Sequence, residues 1–249
     1  MAGHSKWKQI KHKKAATDNK RSAVWAKRIR EIIVAAKAGG GDPGGNARLR
    51  TAIDAARAVN CPNDNIDRAI KKGTGELAGE SYEEITYEGY GPGGAAIIIE
   101  ATTDNPNRTV AEVRHAFSRN GGNLGASNSV AWMFDRKGQI YLDAAQHSED
   151  EALEAALDAG AQDFVKDGDQ YLVTTLPADF HAVQDALKAR RYAIESAELA
   201  MVPKNTVKVE GAEAARLLRL MEALEELDDV SKVFSNFDID AATLAEAGA

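Results

Sequence analysis

A dense group of basic and aromatic residues lies at the start of the chain. Residues 1–30 contain ten Lys or Arg against one acidic residue, Asp18, and the first of these cations are interleaved with His4, Trp7 and His12. Cations at this density repel one another, and a phosphate backbone relieves that repulsion because its counterions are released on binding. The Trp7 ring could also stack on an unpaired base. This chemistry predicts binding to nucleic acid.

Fourteen residues make up the predicted nucleic-acid-binding site. We expect its Lys and Arg side chains to contact phosphates, and Trp7 and His4 to stack on bases or form hydrogen bonds. The site comprises His4, Ser5, Lys6, Trp7, Lys8, Lys11, His12, Lys13, Lys14, Lys20, Arg21, Lys27, Arg28 and Arg30. The alternative is a solvated charged tail with no specific partner. The basic surface continues from the arm, residues 2–19, into a helix over 20–30, which favours binding.

Charge is divided unevenly along the chain. The 249 residues carry a net charge of −7, with 31 Lys or Arg against 38 Asp or Glu. Residues 1–72 hold seventeen of the basic residues and six of the acidic ones, so the remainder is strongly acidic. The change falls at segment 71–75, whose two glycines are typical of a helix end followed by a linker. The pattern predicts a basic N-terminal domain joined to an acidic remainder.

Composition limits the class of protein. A single cysteine excludes a disulfide framework and indicates a reducing compartment. No apolar run approaches the roughly 20 residues that a membrane span needs. The basic start is not followed by the apolar stretch of a secretory signal. We therefore expect a cytoplasmic protein with no membrane partner.

Hydrophobic spacing predicts three short helices before residue 75. The first runs from 19 to the glycines at 39–41, the second starts at Asn46, and the third starts at Asn63, which we expect to cap it. These helices are predicted to form a small bundle.

Beyond residue 75 the pattern indicates alternating strands and helices. Residues 139–203 follow the order β-α-β-β-α-β, which is that of ferredoxin-like domains. A second such set is expected from strand 95–102, helix 107–119, strand 130–134, strand 207–209, helix 212–227 and strand 230–237. A tight turn is expected at 136–138.

The predicted fold class is α+β, with an N-terminal three-helix bundle followed by two ferredoxin-like α/β domains, one inserted in the other. The predicted domains are 1–75, 76–137 plus 205–240, and 138–204. The alternative, three domains in series, would leave 205–240 as a lone helix with exposed strand edges.

Other patterns in the chain resemble sites of chemistry without fitting them. Gly89, Gly91 and Gly94 have the spacing of a dinucleotide-binding loop, but they precede a strand rather than a helix, so a hairpin turn is predicted. Cys61 and the five histidines lack the spacing of metal ligands. We therefore expect no metal, no cofactor, no small-molecule substrate and no enzymatic activity. The competing hypothesis is an enzyme with a carboxylate site between the two α/β domains.

Several segments resemble the YebC/PmpR family. The resemblance runs in order over nearly the full length and is carried by segments 3–7, 13–21, 39–43, 87–94, 107–114 and 159–161. Two positions depart from the family pattern. Ser22-Ala23 stand where Gly-Lys is usual, which removes one cation, and Asn128 stands where Gly is usual, a change that a left-handed turn tolerates.

The resemblance implies a transcriptional regulator that binds DNA through its basic N-terminal domain. It also implies a fold of a helical bundle plus two α/β domains. Mitochondrial relatives are translational activators of cytochrome oxidase, and bacterial members have been implicated in helping ribosomes through proline-rich stretches. The alternative is therefore a ribosome-associated translation factor that binds ribosomal RNA.

Overall fold

The computed structural model describes residues 18–240 and 243, with side chains from residue 21 onwards. Three helices come first, followed by strands and helices in mixed order. The helices of the bundle are α1 (Asp18–Gly39), α2 (Ala47–Ala58) and α3 (Asn63–Gly73). After the bundle come β1 (Glu83–Tyr90), β2 (Ala96–Thr103), α4 (Pro106–Arg119) and β3 (Asn123–Leu124). Next come β4 (Phe134–Asp143), α5 (Glu149–Asp158), β5 (Asp163–Asp167), β6 (Gln170–Thr175), α6 (Phe180–Ala189) and β7 (Ile194–Pro203). The last elements are β8 (Val207–Lys208), α7 (Gly211–Glu226), β9 (Val230–Ser235) and β10 (Phe237–Asp238).

The three helices share one apolar core, to which Ile32, Leu49 and Ile66 contribute fully or almost fully buried side chains. Asn46 joins the end of α1 to the start of α2. Its Oδ1 accepts from the amide of Leu49 at 3.0 Å, and its Nδ2 donates to the carbonyls of Ala35 and Gly40, each at 2.9 Å. One buried amide therefore satisfies backbone groups at two helix ends.

The start of α3 differs from expectation. Asn63 is the first residue inside the helix, and Pro62 precedes it as the cap without a side-chain hydrogen bond. The prediction that Asn63 caps this helix is wrong, although the helix begins where the sequence indicates.

The chain folds into two compact units. The first runs to Phe134 and resumes at Pro203, and the second spans Asp135–Val202. The mixed α/β class, with a helical region followed by antiparallel sheets, is confirmed. No helix in the range 18–240 is long and apolar enough to cross a membrane.

The sheet of the first unit has the strand order β3-β1-β2-β9, with every pair antiparallel. Helices α4 and α7 pack on it, so that Ile97, Ile99, Phe117 and Leu217 share a core. Helix α1 also contacts β2 and β9. The glycine-rich segment 91–95 joins β1 to β2 as a hairpin in which Tyr90 pairs with Ala96. The predicted hairpin turn is confirmed.

The second unit has the strand order β5-β6-β4-β7, with two helices in the sequence β-α-β-β-α-β. Its core is built from Ile140, Val173 and Phe180. Helix α5 begins in a reciprocal capping box, because Ser148 accepts from the Glu151 amide and the Glu151 carboxylate accepts from the Ser148 amide.

The strand predicted over 130–134 is wrong. Segment 130–134 is not a strand, since Ala131–Met133 form a 3₁₀ turn. The amides of Val130 and Ala131 donate to the Glu88 carboxylate instead of to a strand, each at 2.8 Å. In the first sheet, β1 occupies a position beside β2 that was expected for strand 130–134. The strand expected over 207–209 is not part of this sheet, because β8 pairs with β10 in a separate two-stranded sheet.

The tight turn expected at 136–138 lies within the continuous strand β4. Gly138 is needed there for close packing, because an added Cβ would lie 2.3 Å from Thr175 Oγ1 and 2.5 Å from the Phe180 ring. Glycine marks a close approach of backbone to side chains at this position.

Candidate nucleic-acid interface

Most of the predicted site lies outside the described residues. The sequence places nine of the fourteen residues in the arm before the start of α1, and of Lys20 the structure describes the backbone alone. These arm residues are His4, Ser5, Lys6, Trp7, Lys8, Lys11, His12, Lys13 and Lys14. Arg21, Lys27, Arg28 and Arg30 follow on α1, where Arg21 is exposed.

Helix α1 forms because its apolar residues recur at helical spacing and face the bundle. Trp25 and Ile29 pack against the bundle core beside buried Ile32 and Ile33. The indole Nε1 of Trp25 donates to the carbonyl of Val59 at 3.0 Å, which ties the helix to the end of α2. One side of α1 is therefore committed to the bundle.

The other side of α1 binds the end of helix α7. Lys27 Nζ donates to the carbonyl of Glu225 in the last turn of α7 at 2.6 Å, and Arg30 donates to the carbonyl of Asp228, in the turn after the helix, at 2.5 Å. The last carbonyls of a helix carry partial negative charge and lack partners within the helix, so a cation such as Lys27 is favourable there. Arg28 instead forms an ion pair at 2.9 Å with Glu31 on its own helix.

A buried carboxylate lies directly beyond this helix end. Asp229 is 2% exposed, and its Oδ2 accepts from Arg108 at 2.6 Å, from the Thr109 hydroxyl at 2.8 Å and from the Thr103 hydroxyl at 3.0 Å. Arg30 lies 3.8 Å from Oδ1. The charge of Asp229 thus links the bundle, β2, α4 and β9 within the first unit.

The protonation of Asp229 follows from these contacts. Burial acts to raise the pKa of its carboxyl, but the hydrogen bonds from Arg108, Thr109 and Thr103 outweigh burial and hold the pKa below its usual value. Asp229 is therefore ionised at neutral pH. The sequence did not predict this group: Arg108 and Thr109 were placed only in the helix over 107–119 and in the segment 107–114 that resembles the family.

An open groove surrounds the same cluster. Its volume is about 470 Å³, and both arginines, Arg30 and Arg108, line it together with Tyr82 and several carboxylates. Arg30 also lies over the Tyr82 ring, 5.9 Å from its centre. Because the carboxylates pair with the arginines or lie beside them, the groove is a structural ion-pair network.

The bundle carries further exposed cations that the predicted site did not include. They are Lys37 on α1, Arg57 at the end of α2, and Arg68, Lys71 and Lys72 on α3. They extend the basic character of the N-terminal region beyond α1. Arg48 differs from them because it forms an ion pair with Glu84 of β1.

The one cysteine of the chain is not placed for reaction. Cys61 is buried in the bundle core, and burial raises the pKa of its thiol, which opposes formation of the reactive thiolate. Across the part of the chain that the structure describes, no group of three or more His, Cys, Asp or Glu side chains is arranged to hold a metal ion.

The comparisons with known proteins cover nearly the whole chain. A family profile described as the TACO1/YebC protein N-terminal domain matches residues 5–76, and one described as the TACO1/YebC second and third domain matches residues 82–237. A protein of Gemmatimonas aurantiaca is 63% identical over 247 residues, with 99% of this chain and 100% of that protein covered. One from Natranaerobius thermophilus is 56% identical over 243 residues, with 96% and 97% covered. Both carry the name "Probable transcriptional regulatory protein".

A solved structure agrees with these sequence relatives. The crystal structure of a conserved hypothetical protein from Aquifex aeolicus superposes with a TM-score of 0.83 at 47% identity, covering 91% of this chain and 93% of that one. Both profiles, the named relatives and the shared fold lead to one conclusion: the chain belongs to the TACO1/YebC family, whose bacterial relatives are named as regulatory proteins.

Proposed function

We propose that this protein is a non-enzymatic, nucleic-acid-binding regulator of gene expression that contacts phosphates through its basic N-terminal region. The observation that carries the proposal is the ten Lys or Arg among residues 1–30 of a chain whose net charge is −7. The names of the relatives, which describe transcriptional regulators, support a nucleic acid as the partner. Electrostatic contacts of this kind supply most of the affinity in non-specific binding.

Within this region we assign different tasks to the cations. Lys27 and Arg30 bind backbone carbonyls at the end of α7 and in the turn after it, which stabilises the position of α1, whereas Arg28 pairs with Glu31 within α1 itself. The arm residues, together with exposed Arg21 at the start of the helix, provide the phosphate contacts in this proposal. Arg28 and Arg30 add their positive charge to the same region.

The structure of α1 bears on how nucleic acid would be read. A recognition helix must present a side of its surface to the major groove. Trp25 and Ile29 of α1 pack into the bundle, while Lys27 and Arg30 contact the end of α7. This arrangement favours contact through the arm over insertion of α1. It also keeps ribosomal RNA as a second candidate partner, because an arm with Trp7 suits unpaired bases.

Binding of two triple variants of the full chain tests the proposal. The arm variant replaces three cations with Gln at Lys11, Lys13 and Lys14. The control variant makes the same charge change at three exposed lysines outside the basic region, Lys166, Lys188 and Lys208. Fluorescence anisotropy with a labelled 30-base-pair DNA and a labelled structured RNA gives both affinities.

The arm variant should bind roughly 10- to 100-fold more weakly at about 100 mM salt, because each lost phosphate contact removes counterion release. The control variant should stay within about twofold of the parent. Equal affinities of the arm variant and the parent would contradict the proposal. Tighter binding of the parent to duplex DNA supports transcription, whereas preference for the RNA, together with cosedimentation with ribosomes, supports translation.

A further inference from the structure

Helices α4 and α7 pack side by side on the first sheet. The start of α4 lies at the end of α7, where Arg108 and Thr109 bind Asp229. The end of α4 lies further back along α7, because a Cβ added at Gly122, just after α4, would be 3.1 Å from the Leu220 side chain. The two helices are therefore antiparallel.

The flanks of these helices that face each other are marked by the open groove beside Asp229. Glu112 of α4 and Glu226 of α7 both line that groove. Side chains seven residues apart lie on the same flank of a helix, two turns along its axis. Arg119 lies seven residues after Glu112, and Arg219 lies seven residues before Glu226. Because the helices are antiparallel, both steps lead in the same direction, so the two arginines lie on facing flanks as the two glutamates do.

Two more basic side chains lie at this end of the helix pair. Arg216 precedes Arg219 on α7 by three residues, and His115 precedes Arg119 on α4 by four, so each lies one turn away on the same flank. All four side chains are exposed. The three arginines, which we call the α4/α7 arginine cluster, form no ion pair with the part of the chain that the structure describes.

The acidic residues nearby do not neutralise this cluster. Glu213 and Glu222 lie one turn from the two arginines of α7, at a spacing that allows ion pairs. Within the described residues, neither carboxylate forms one. Other arginines of this chain do pair with carboxylates, as Arg190 does with Asp158 at 3.2 Å. Three guanidinium groups are thus grouped without a counter-charge from the described residues, on a chain whose net charge is −7.

The chemistry of the α4/α7 arginine cluster indicates its ligand. A guanidinium group stays protonated throughout the physiological pH range, and its planar set of N–H donors matches two phosphate oxygens at once. Neighbouring positive charges also repel one another, and a polymer of phosphates relieves that repulsion by binding several of them. The cluster therefore fits the sugar-phosphate backbone of a nucleic acid.

We infer that Arg119, Arg216 and Arg219 form a second phosphate-binding surface, at which the nucleic acid held by the basic N-terminal region also contacts helices α4 and α7. This inference rests on the proposed nucleic-acid binding and extends it to the acidic part of the chain. The contact is made to phosphates, so it carries no base-sequence preference of its own. It lies two turns away from the carboxylates of the groove.

The affinity of full-chain variants for a labelled 30-base-pair DNA and a labelled structured RNA tests this surface. The neutral variant replaces all three arginines of the cluster with Gln, and the charge-preserving variant replaces them with Lys. Arg119→Gln and Arg114→Gln form a matched pair with the same charge change on the same helix. Arg114 is exposed but lies two residues from Glu112, about 200° around α4, and so on the other flank. Fluorescence anisotropy gives the affinities, and the melting temperature confirms that each variant is folded.

We expect the neutral variant to bind roughly 10-fold more weakly at about 100 mM salt. The plot of log affinity against log salt should flatten by about two to three units on the duplex, because each lost phosphate contact removes about 0.9 unit. The charge-preserving variant should stay within about threefold of the parent, since the charge remains while the bidentate geometry is lost. Arg119→Gln should weaken binding, whereas Arg114→Gln should match the parent.

Two results would overturn the inference. One is a folded neutral variant with parental affinity and parental salt dependence on both probes. The other is an equal affinity of Arg119→Gln and Arg114→Gln. The matched pair decides the question if the neutral variant does not fold.

Photo-cross-linking tests proximity without relying on affinity. Cys61 is buried, so a cysteine introduced at an exposed position can be labelled selectively. His115→Cys places a benzophenone label beside the arginine cluster, and Leu157→Cys, at a position that is 55% exposed on α5 in the other unit, is the control. The duplex should cross-link to the first protein and not to the second. Equal cross-linking yields would overturn the inference.

The outcomes separate this inference from the proposal on which it rests. A parent protein that binds neither DNA nor RNA would overturn both. A parent whose binding is weakened by the changes in the arm, but not by those in the α4/α7 arginine cluster, would overturn only the second surface.

Discussion

Replacing Asp229 with Asn removes a buried negative charge while keeping the shape of the side chain. In the parent, this carboxylate accepts from Arg108, Thr109 and Thr103 and is 2% exposed. In Asp229→Asn, the amide oxygen keeps part of these hydrogen bonds but loses the attraction to Arg108 and Arg30.

The magnitude follows from the burial of each partner. Breaking a fully buried ion pair costs about 3–5 kcal/mol. The Arg108 side chain is 45% exposed, so after the change it can turn towards water. The cost therefore falls near that of a hydrogen bond to a charged group, about 2 kcal/mol in the free energy of unfolding. For a unit of this size, the melting temperature should fall by roughly 4–8 °C.

The effect should depend on pH in a defined direction. The pKa of Asp229 is lowered in the folded protein, so its ionised form contributes stability at pH values above the unfolded pKa, about 3.9. That contribution is lost as the pH falls through the lowered pKa of the folded state. The difference in stability between parent and Asp229→Asn should hence be constant from pH 6 to 8 and shrink below about pH 4.

Urea unfolding followed by tryptophan fluorescence and circular dichroism measures this difference. Asp228→Asn is the matched control, because Asp228 is the exposed neighbour and uses only its backbone carbonyl to bind Arg30. It should change stability by less than about 0.5 kcal/mol. If the free energy of unfolding falls by the same small amount in both variants, the Asp229 carboxylate does not link the bundle to the sheet.

Three further predictions concern other contacts. Asn46→Ala should lower the free energy of unfolding by about 2 kcal/mol in urea titrations, because it removes a helix cap and leaves the buried Ala35 carbonyl without its donor. Gly138→Ala should destabilise the second unit by about 1–3 kcal/mol, seen as a lower melting temperature, since the new Cβ would overlap Thr175. The buried Cys61 thiol should react slowly with a disulfide reagent at pH 8 and rapidly once urea unfolds the chain; equal rates would contradict its burial.

Local signals in the sequence predicted most of the elements. The capping box at Ser148 acts over three residues, and the apolar spacing of α1 from Trp25 to Ala36 extends over about three turns, so both can be read from neighbouring residues. The turn predicted at 136–138 was wrong because glycine is common both in turns and where a backbone packs closely against side chains, and Gly138 is of the second kind. The strand predicted over 130–134 was wrong because a short apolar run has the pattern of a strand. Its amides donate instead to Glu88, some 40 residues away in the sequence.

The roles of the basic residues could be predicted only in part. Their abundance before residue 31 is visible in the sequence, and so is the chemistry of an anionic partner. The sequence does not show that Lys27 and Arg30 bind carbonyls at and just after the end of α7, because each partner lies 198 residues further along the chain. Asp229 was missed for the same reason, since Arg108 is 121 residues away from it.

The salt dependence of binding tests the central claim most directly. The logarithm of the association constant is measured against the logarithm of salt concentration for the parent, for the variant with Gln at Lys11, Lys13 and Lys14, and for its charge-matched control. If the arm binds phosphates, the arm variant should flatten the slope on duplex DNA by about two to three units, and the control should keep the parental slope. An identical slope in parent and arm variant would contradict the account.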